Sequence, residues 1–241
     1  MKWFTRFFTN YKSWDIICNT LLLSMYSILW TFPISIILSL MMNQMCFQKF
    51  RKAAQTILYT PHFVSIMIVC GMLRIFLSPY RGLITSIVEA FGGDVTVGLL
   101  DQAQYFRTIY IASSIWQEAG WGMIIYMVTL SSVDFSLHEA AKVDGANTLQ
   151  RILHIDLPAL VPMIMSFGSL MNVGFEKAFL LQTDLNKATS EIIAMYVYEQ
   201  GMLRSMYSFS TAVGLFNTAV NIVLLFIVNK IAKKAVGISF V

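Results

Sequence analysis

The sequence predicts an all-α, polytopic membrane protein, on three observations. Hydrophobic residues make up 57% of its 241 residues and charged residues only 12%, where a soluble domain carries about a quarter charged. The mean hydropathy is +0.66. Apolar runs recur at close to the roughly 20 residues that cross a bilayer core, separated by polar stretches. The net charge of +4 is spread along the chain, which does not suit a nucleic-acid partner. Cys18, Cys46 and Cys70 show no metal or redox spacing and read as small residues of apolar segments. His62, His138 and His154 are scattered, so no metal site or cofactor is expected. His138 and His154 read as solvated.

Residues 1–16 carry Phe4, Phe7, Phe8 and Tyr11 at helical spacing, with Trp3 and Trp14 beside Lys2, Arg6 and Lys12. This is the pattern of an interfacial amphipathic helix. No small-residue cleavage site follows residues 1–8, so a cleaved signal peptide is not expected. The first span is 17–42, with Pro33 as a point of kinking. A basic turn, 48–52, precedes the second span, 56–77, in which Arg74 is expected to snorkel to the surface. Residues 78–106, rich in Gly, read as a loop holding a short helix at 83–91. The third span is 107–133, interrupted by Trp116-Gln117-Glu118-Ala119-Gly120-Trp121. The fourth is 158–181, residues 182–207 read as a polar external stretch, and the fifth span is 209–231.

The polar stretch 134–157 reads as two short helices with a hinge. Ser136 and Glu139 have capping-box spacing, as do Asn147 and Gln150. Leu137, Ala140 and Ala141 fall on one face of the first helix, and Leu149, Ile152 and Leu153 on one face of the second. Gly145 sits where a glycine turns the backbone cheaply, and Pro158 is placed to open the next helix.

Glu139, Ala140 and Ala141, then Asp144, Gly145 and Ala146, then Ile155, Leu157 and Pro158 resemble the cytoplasmic coupling loop of bacterial ABC-importer permeases. Stretches along nearly the whole chain extend the resemblance to the polysaccharide or complex-oligosaccharide branch of maltose-permease-like proteins. They include 59–65, 115–122, Gly174-Phe175-Glu176 and 211–216. The resemblance implies a type I importer permease core over 17–241, with about five membrane helices and without the first of the family's usual six. It implies that Glu139, Ala140, Ala141, Asp144, Gly145 and Ala146 dock on an ATPase subunit. The implied partners are a second permease subunit, two ATPase subunits and an extracellular sugar-binding protein, at the bacterial cell membrane. The orientation rests on this resemblance, because basic residues divide almost evenly between the two sides.

No phosphate-cradling loop, nucleophile elbow or zinc-protease helix occurs in the sequence, so no catalytic residue is expected and ATP hydrolysis falls to a separate chain. Charged groups inside a span are costly, about 2.5 kcal/mol or more at the centre. Two readings therefore stand for Glu118, Glu176 and Lys177. They pair with one another or are buried against a neighbouring helix, or they line a polar sugar path. In the second reading Trp116, Glu118, Trp121, Asn172, Glu176 and Asn217, with Asn221, supply aromatic faces and groups for hydroxyls. A permease for a non-sugar solute, or a truncated, non-transporting membrane scaffold, remain alternatives at this point.

Overall fold

The computed structural model describes the chain apart from Met1, Cys46, Tyr80, Arg81, residues 93–96, residues 168–173 and residues 237–241, and apart from the side chains of 164–167 and 224–236. The described residues are helical and divide into two units. The first comprises Met1–Ser27, Val64–Ser114 and Asn172–Asn221, the second Ile28–Phe63, Ile115–Met171 and Ile222–Val241.

After α1 (Lys2–Phe8) comes α2 (Ser13–Asn43). This helix is long and apolar enough to cross a membrane, yet only 17% of its most apolar window is buried in the protein. A helix this apolar that does not bury itself needs lipid or partner subunits around it. Three of its hydroxyls are satisfied within the helix: Thr20, Ser24 and Ser35 each donate to the carbonyl four residues back at 2.8–3.0 Å. The basic residues expected in a turn form the start of α3 (Gln48–Tyr59) instead. The second expected span is two helices rather than one, because a 3-10 turn over Thr60–Phe63, containing Pro61, separates α3 from α4 (Ile66–Phe76). The short helix expected near 83–91 is present as α5 (Leu83–Ala90).

α6 (Ala103–Ser131) runs unbroken through the tryptophan-containing stretch that the sequence suggested would interrupt it. At Gly120 a Cβ would collide with the Leu58 carbonyl of α3. The glycine marks a close helix–helix approach rather than a break. α7 (Phe135–Val143) follows at a 72° bend, then α8 (Thr148–Arg151), a π turn over Ile152–Asp156, and α9 (Leu157–Phe167). Pro158 is the second residue of α9, in the first turn where its missing N–H costs nothing, while Pro162 lies inside the helix. α10 (Phe175–Leu181), α11 (Lys187–Ser190), α12 (Ile193–Tyr198), a π turn over Glu199–Leu203 and α13 (Tyr207–Val236) complete the chain.

The core of the first unit is Phe7, Ile16, Ile17, Ile193, Tyr196, Phe209 and Val213. Phe7 of the expected interfacial segment is thus buried against protein, while Tyr11 and Trp14 stay exposed. Residues 182–207 are tied by hydrogen bonds to distant parts of the chain. Asn186 is fully buried and donates to the Leu100 and Leu181 carbonyls at 2.8 and 3.1 Å. Thr189 donates to Ala103, and the Ile193 amide to Thr20 Oγ1. Arg74, exposed as expected, caps α10 by donating to the carbonyls of Leu180 and Gln182 at 2.8 and 3.1 Å. The second unit's core joins Tyr126 and Leu130 of α6 to Leu160 of α9, with Phe32, Ile36 and Leu40 of α2 against them. Cys70 is buried, as expected of a small apolar residue.

Candidate functional site

The stretch from α7 to the π turn is held in shape by local hydrogen bonds. Its N-cap is Asp134 rather than the Ser136–Glu139 box: the Asp134 carboxylate accepts the Ser136 amide at 2.9 Å. An aspartate one residue before the helix wins because an ionised acceptor at a helix N-terminus is the stronger cap. The same bond holds the Asp134 carboxyl below its ordinary range. At the far end, Gly145 takes φ +81°. The Gly145 amide donates to Lys142 at 3.1 Å and the Ala146 amide to Ala141 at 2.8 Å. These are the two bonds of a Schellman stop, which needs a left-handed residue where glycine is least strained. The next helix starts on the expected box: Gln150 Oε1 accepts the Asn147 amide at 2.8 Å, and Asn147 Oδ1 accepts the Gln150 amide at 2.9 Å.

One buried carboxylate fastens this stretch to the residue that follows α2. Asp156 has no exposed surface. It accepts from Gln44 Nε2 at 3.0 Å and lies 3.3 Å from His138 Nε2. Burial raises the Asp156 carboxyl above its ordinary range, against the pull of His138, Gln44 and Arg151. His138 is therefore largely covered rather than solvated, whereas His154 is exposed. The sequence held a signal for this contact, since Asp156 interrupts the apolar run Ile152-Leu153-His154-Ile155-Asp156-Leu157. A carboxylate so placed needs a buried partner.

Glu139, Ala140, Asp144 and Gly145 are exposed, and Ala141 and Ala146 are partly so. Around them Leu137, Val143 and Leu149 are 53%, 88% and 64% exposed. Covering a leucine or valine contributes about 1.5–3 kcal/mol, so three uncovered in one ordered stretch make a surface suited to a partner.

The candidates inside the apolar helices fall into separate places. In the second unit, Glu118 Oε2 lies 3.3 Å from His62 Nδ1. The His62 ring stacks on Trp121, centroids 4.4 Å apart and 4° from parallel, with Phe63 edge-on to Trp121 at 5.7 Å. Glu118 and Trp121 thus share a cluster that adds His62, a residue set aside in the sequence as scattered. Its signal was position, beside Pro61 in a span that also faces an intramembrane carboxylate. Trp116 is exposed and makes no ring contact among the described residues. In the first unit, Lys177 is buried, donates to Ser114 Oγ at 2.7 Å and lies over the Tyr110 ring, while Glu176 is exposed. Asn217 lines a cavity of about 490 Å³ with Phe175, Tyr198 and Tyr207. Asn172 lies outside the described residues. No group of His, Cys, Asp and Glu among the described residues could hold a metal ion.

The chain matches a family model described as binding-protein-dependent transport system inner membrane component over residues 13–236. It is 39% identical over 239 residues to the polygalacturonan/rhamnogalacturonan transport system permease protein YteP of Bacillus subtilis, covering 97% of this chain and 74% of that protein. It is 38% identical over 237 residues to Protein LplB of the same organism, covering 96% and 74%. Among solved structures it is similar to a bacterial ABC transporter involved in the import of the acidic polysaccharide alginate. The TM-score is 0.93 at 38% identity, covering 98% of this chain and 84% of that one. The alginate transporter in complex with alginate pentasaccharide-bound periplasmic protein matches with a TM-score of 0.93 and 38% identity, covering 97% and 82%.

Proposed function

We propose that this chain, which belongs to the family of binding-protein-dependent transport system inner membrane components, carries oligosaccharides cut from polysaccharides and takes its energy through the α7–α8 stretch. It is a non-catalytic permease of a sugar ABC importer in the bacterial inner membrane. Support for the substrate comes from relatives named for polygalacturonan, rhamnogalacturonan and alginate. The complete assembly in this reading has a second permease, two ATPase subunits and an external binding protein that delivers the sugar. The chain crosses the bilayer about five times, at 17–42, at 56–77 with a break at Thr60–Phe63, and at 107–133, 158–181 and 209–231, with 134–157 inside. ATP-driven closure of the ATPase pair pulls on α7 and α8, and the helices rock between outward and inward openings.

The observation that carries the energy claim is the exposed, locally capped α7 with Ala140 and Ala141 on its surface. Two alanines let another backbone approach closely. The Schellman stop and the Asp156 anchor make the helix rigid enough to transmit a push. Along the path, Glu118 and Trp121, with His62, offer sugar hydroxyls and ring faces a matching surface. Both claims are tested by ATP-driven oligosaccharide uptake in vesicles holding the assembled transporter. Ala141→Trp abolishes uptake while the chain's unfolding temperature stays within a few degrees of wild type, and Glu118→Gln lowers uptake severalfold. Unimpaired uptake by Ala141→Trp rejects the docking role, and unimpaired uptake by Glu118→Gln removes that residue from the path.

A further inference from the structure

A second cavity, of about 340 Å³, lies in the first unit between the N-terminal segment and residues 187–209. Phe7, buried in the core, and the Asn10 side chain, which donates to the Tyr196 hydroxyl at 3.2 Å, hold its N-terminal wall in place. Asn10 also accepts the Lys12 amide at 3.1 Å, which fixes the turn carrying Lys12. The other wall is α11, α12, the π turn after it and the link to α13, in which Ser205 takes a left-handed φ of +55°.

The lining carries four cations, Arg6, Lys12, Lys187 and Arg204, against two carboxylates, Glu191 and Glu199. Glu199 is already committed to two of them, 2.7 Å from Arg204 and 3.5 Å from Lys187. Among the described residues no carboxylate lies within ion-pair distance of Arg6 or Lys12, which instead lie against the rings of Trp3, Phe209 and Tyr11. With Glu199 paired twice, the lining keeps four cations against two carboxylates, an excess of positive charge that leaves room for an anion. The rest of the lining suits a polyol: Asn10, Gln200 and the Tyr196 hydroxyl bond hydroxyls, and Tyr11 offers an exposed ring face. A lining carboxylate, Glu191, can accept hydrogen bonds from sugar hydroxyls. The volume falls within the range of small-ligand pockets.

We infer that this cavity is a binding site for one carboxylate-bearing sugar unit, with Arg6 and Lys12 holding the carboxylate and Asn10, Glu191 and Gln200 the hydroxyls. The inference rests on the permease reading above and deepens it, because it gives an acidic oligosaccharide a contact outside the spans. The site selects acidic over neutral chains before or during hand-over to the membrane path.

The probe is trigalacturonate, with a neutral galactose trisaccharide, inorganic phosphate and vesicles of anionic phospholipid as competitors. Equilibrium dialysis uses the full chain assembled with its partner subunits. Wild type binds trigalacturonate, the neutral sugar does not compete, and Lys12→Gln weakens binding about tenfold. Lys12→Arg, which keeps the charge, restores it and rules out a folding defect. Arg6→Gln acts in the same direction. Equal binding by wild type and Lys12→Gln, or effective competition by the neutral sugar, by phosphate or by the lipid vesicles, overturns the site. ATP-driven uptake separates this outcome from failure of the permease reading. If the site alone is wrong, uptake persists with an unchanged KM in Lys12→Gln; if the permease reading is wrong, no saccharide is taken up at all.

Discussion

Two polar stretches interrupt this apolar chain, and they fold in opposite ways. Residues 134–157 are shaped by neighbours in sequence: an aspartate cap, a glycine stop and a reciprocal Asn147–Gln150 box, with most side chains left in the open. Residues 182–207 are shaped by distant parts of the chain. Asn186 reaches Leu100, Thr189 reaches Ala103, and Ile193 reaches Thr20. Similar polarity thus serves an exposed handle in one place and a buried brace in the other. What separates them is the sequence distance of the hydrogen-bond partners. A segment fixed by its own caps can protrude and still be rigid. A segment fixed from afar stiffens the unit around it.

This contrast makes graded predictions. Asn186→Leu removes a buried side chain that also accepts the Thr183 amide, and strands the Leu100 and Leu181 carbonyls. It should cost about 3 kcal/mol of stability, seen as a lower unfolding temperature of the whole chain; an unchanged temperature would put the brace elsewhere. Gly145→Val should cost about 1–2 kcal/mol, all of it local. Nothing lies within 4 Å of a Cβ placed there, so the penalty is backbone strain at φ +81°. Amide exchange at Gly145 and Ala146 should quicken while the unfolding temperature barely moves, and a global loss would erase the distinction between handle and brace. Asn147→Ala should have the smallest effect, about 1 kcal/mol, read as faster exchange of the Gln150 amide alone.

The same distinction explains what the sequence disclosed. The helical class, the apolar segments, the Gly145 turn and the Asn147–Gln150 box are legible because their causes lie within a few residues. The cap at Asp134 was misassigned by two residues because Ser136 and Glu139 offered a second, weaker local solution. The close approach of α6 to α3 at Gly120 and the burial of Asp156 against Gln44 and His138 depend on groups far along the chain. So does the pairing of Glu118 with His62. Of the site, the exposed residues of α7 could be named from the sequence, but the distant partner of the buried carboxylate, Gln44, could not.

The central claim is that α7 is a handle on the inner face of the membrane, and Lys142, exposed on its last turn, reports it most directly. A membrane-impermeant amine reagent should label Lys142 in inverted vesicles stripped of ATPase, lose that labelling when the ATPase is added back, and leave Lys142 unlabelled in intact cells. Labelling of Lys142 from outside intact cells, or labelling indifferent to the ATPase, would contradict the account.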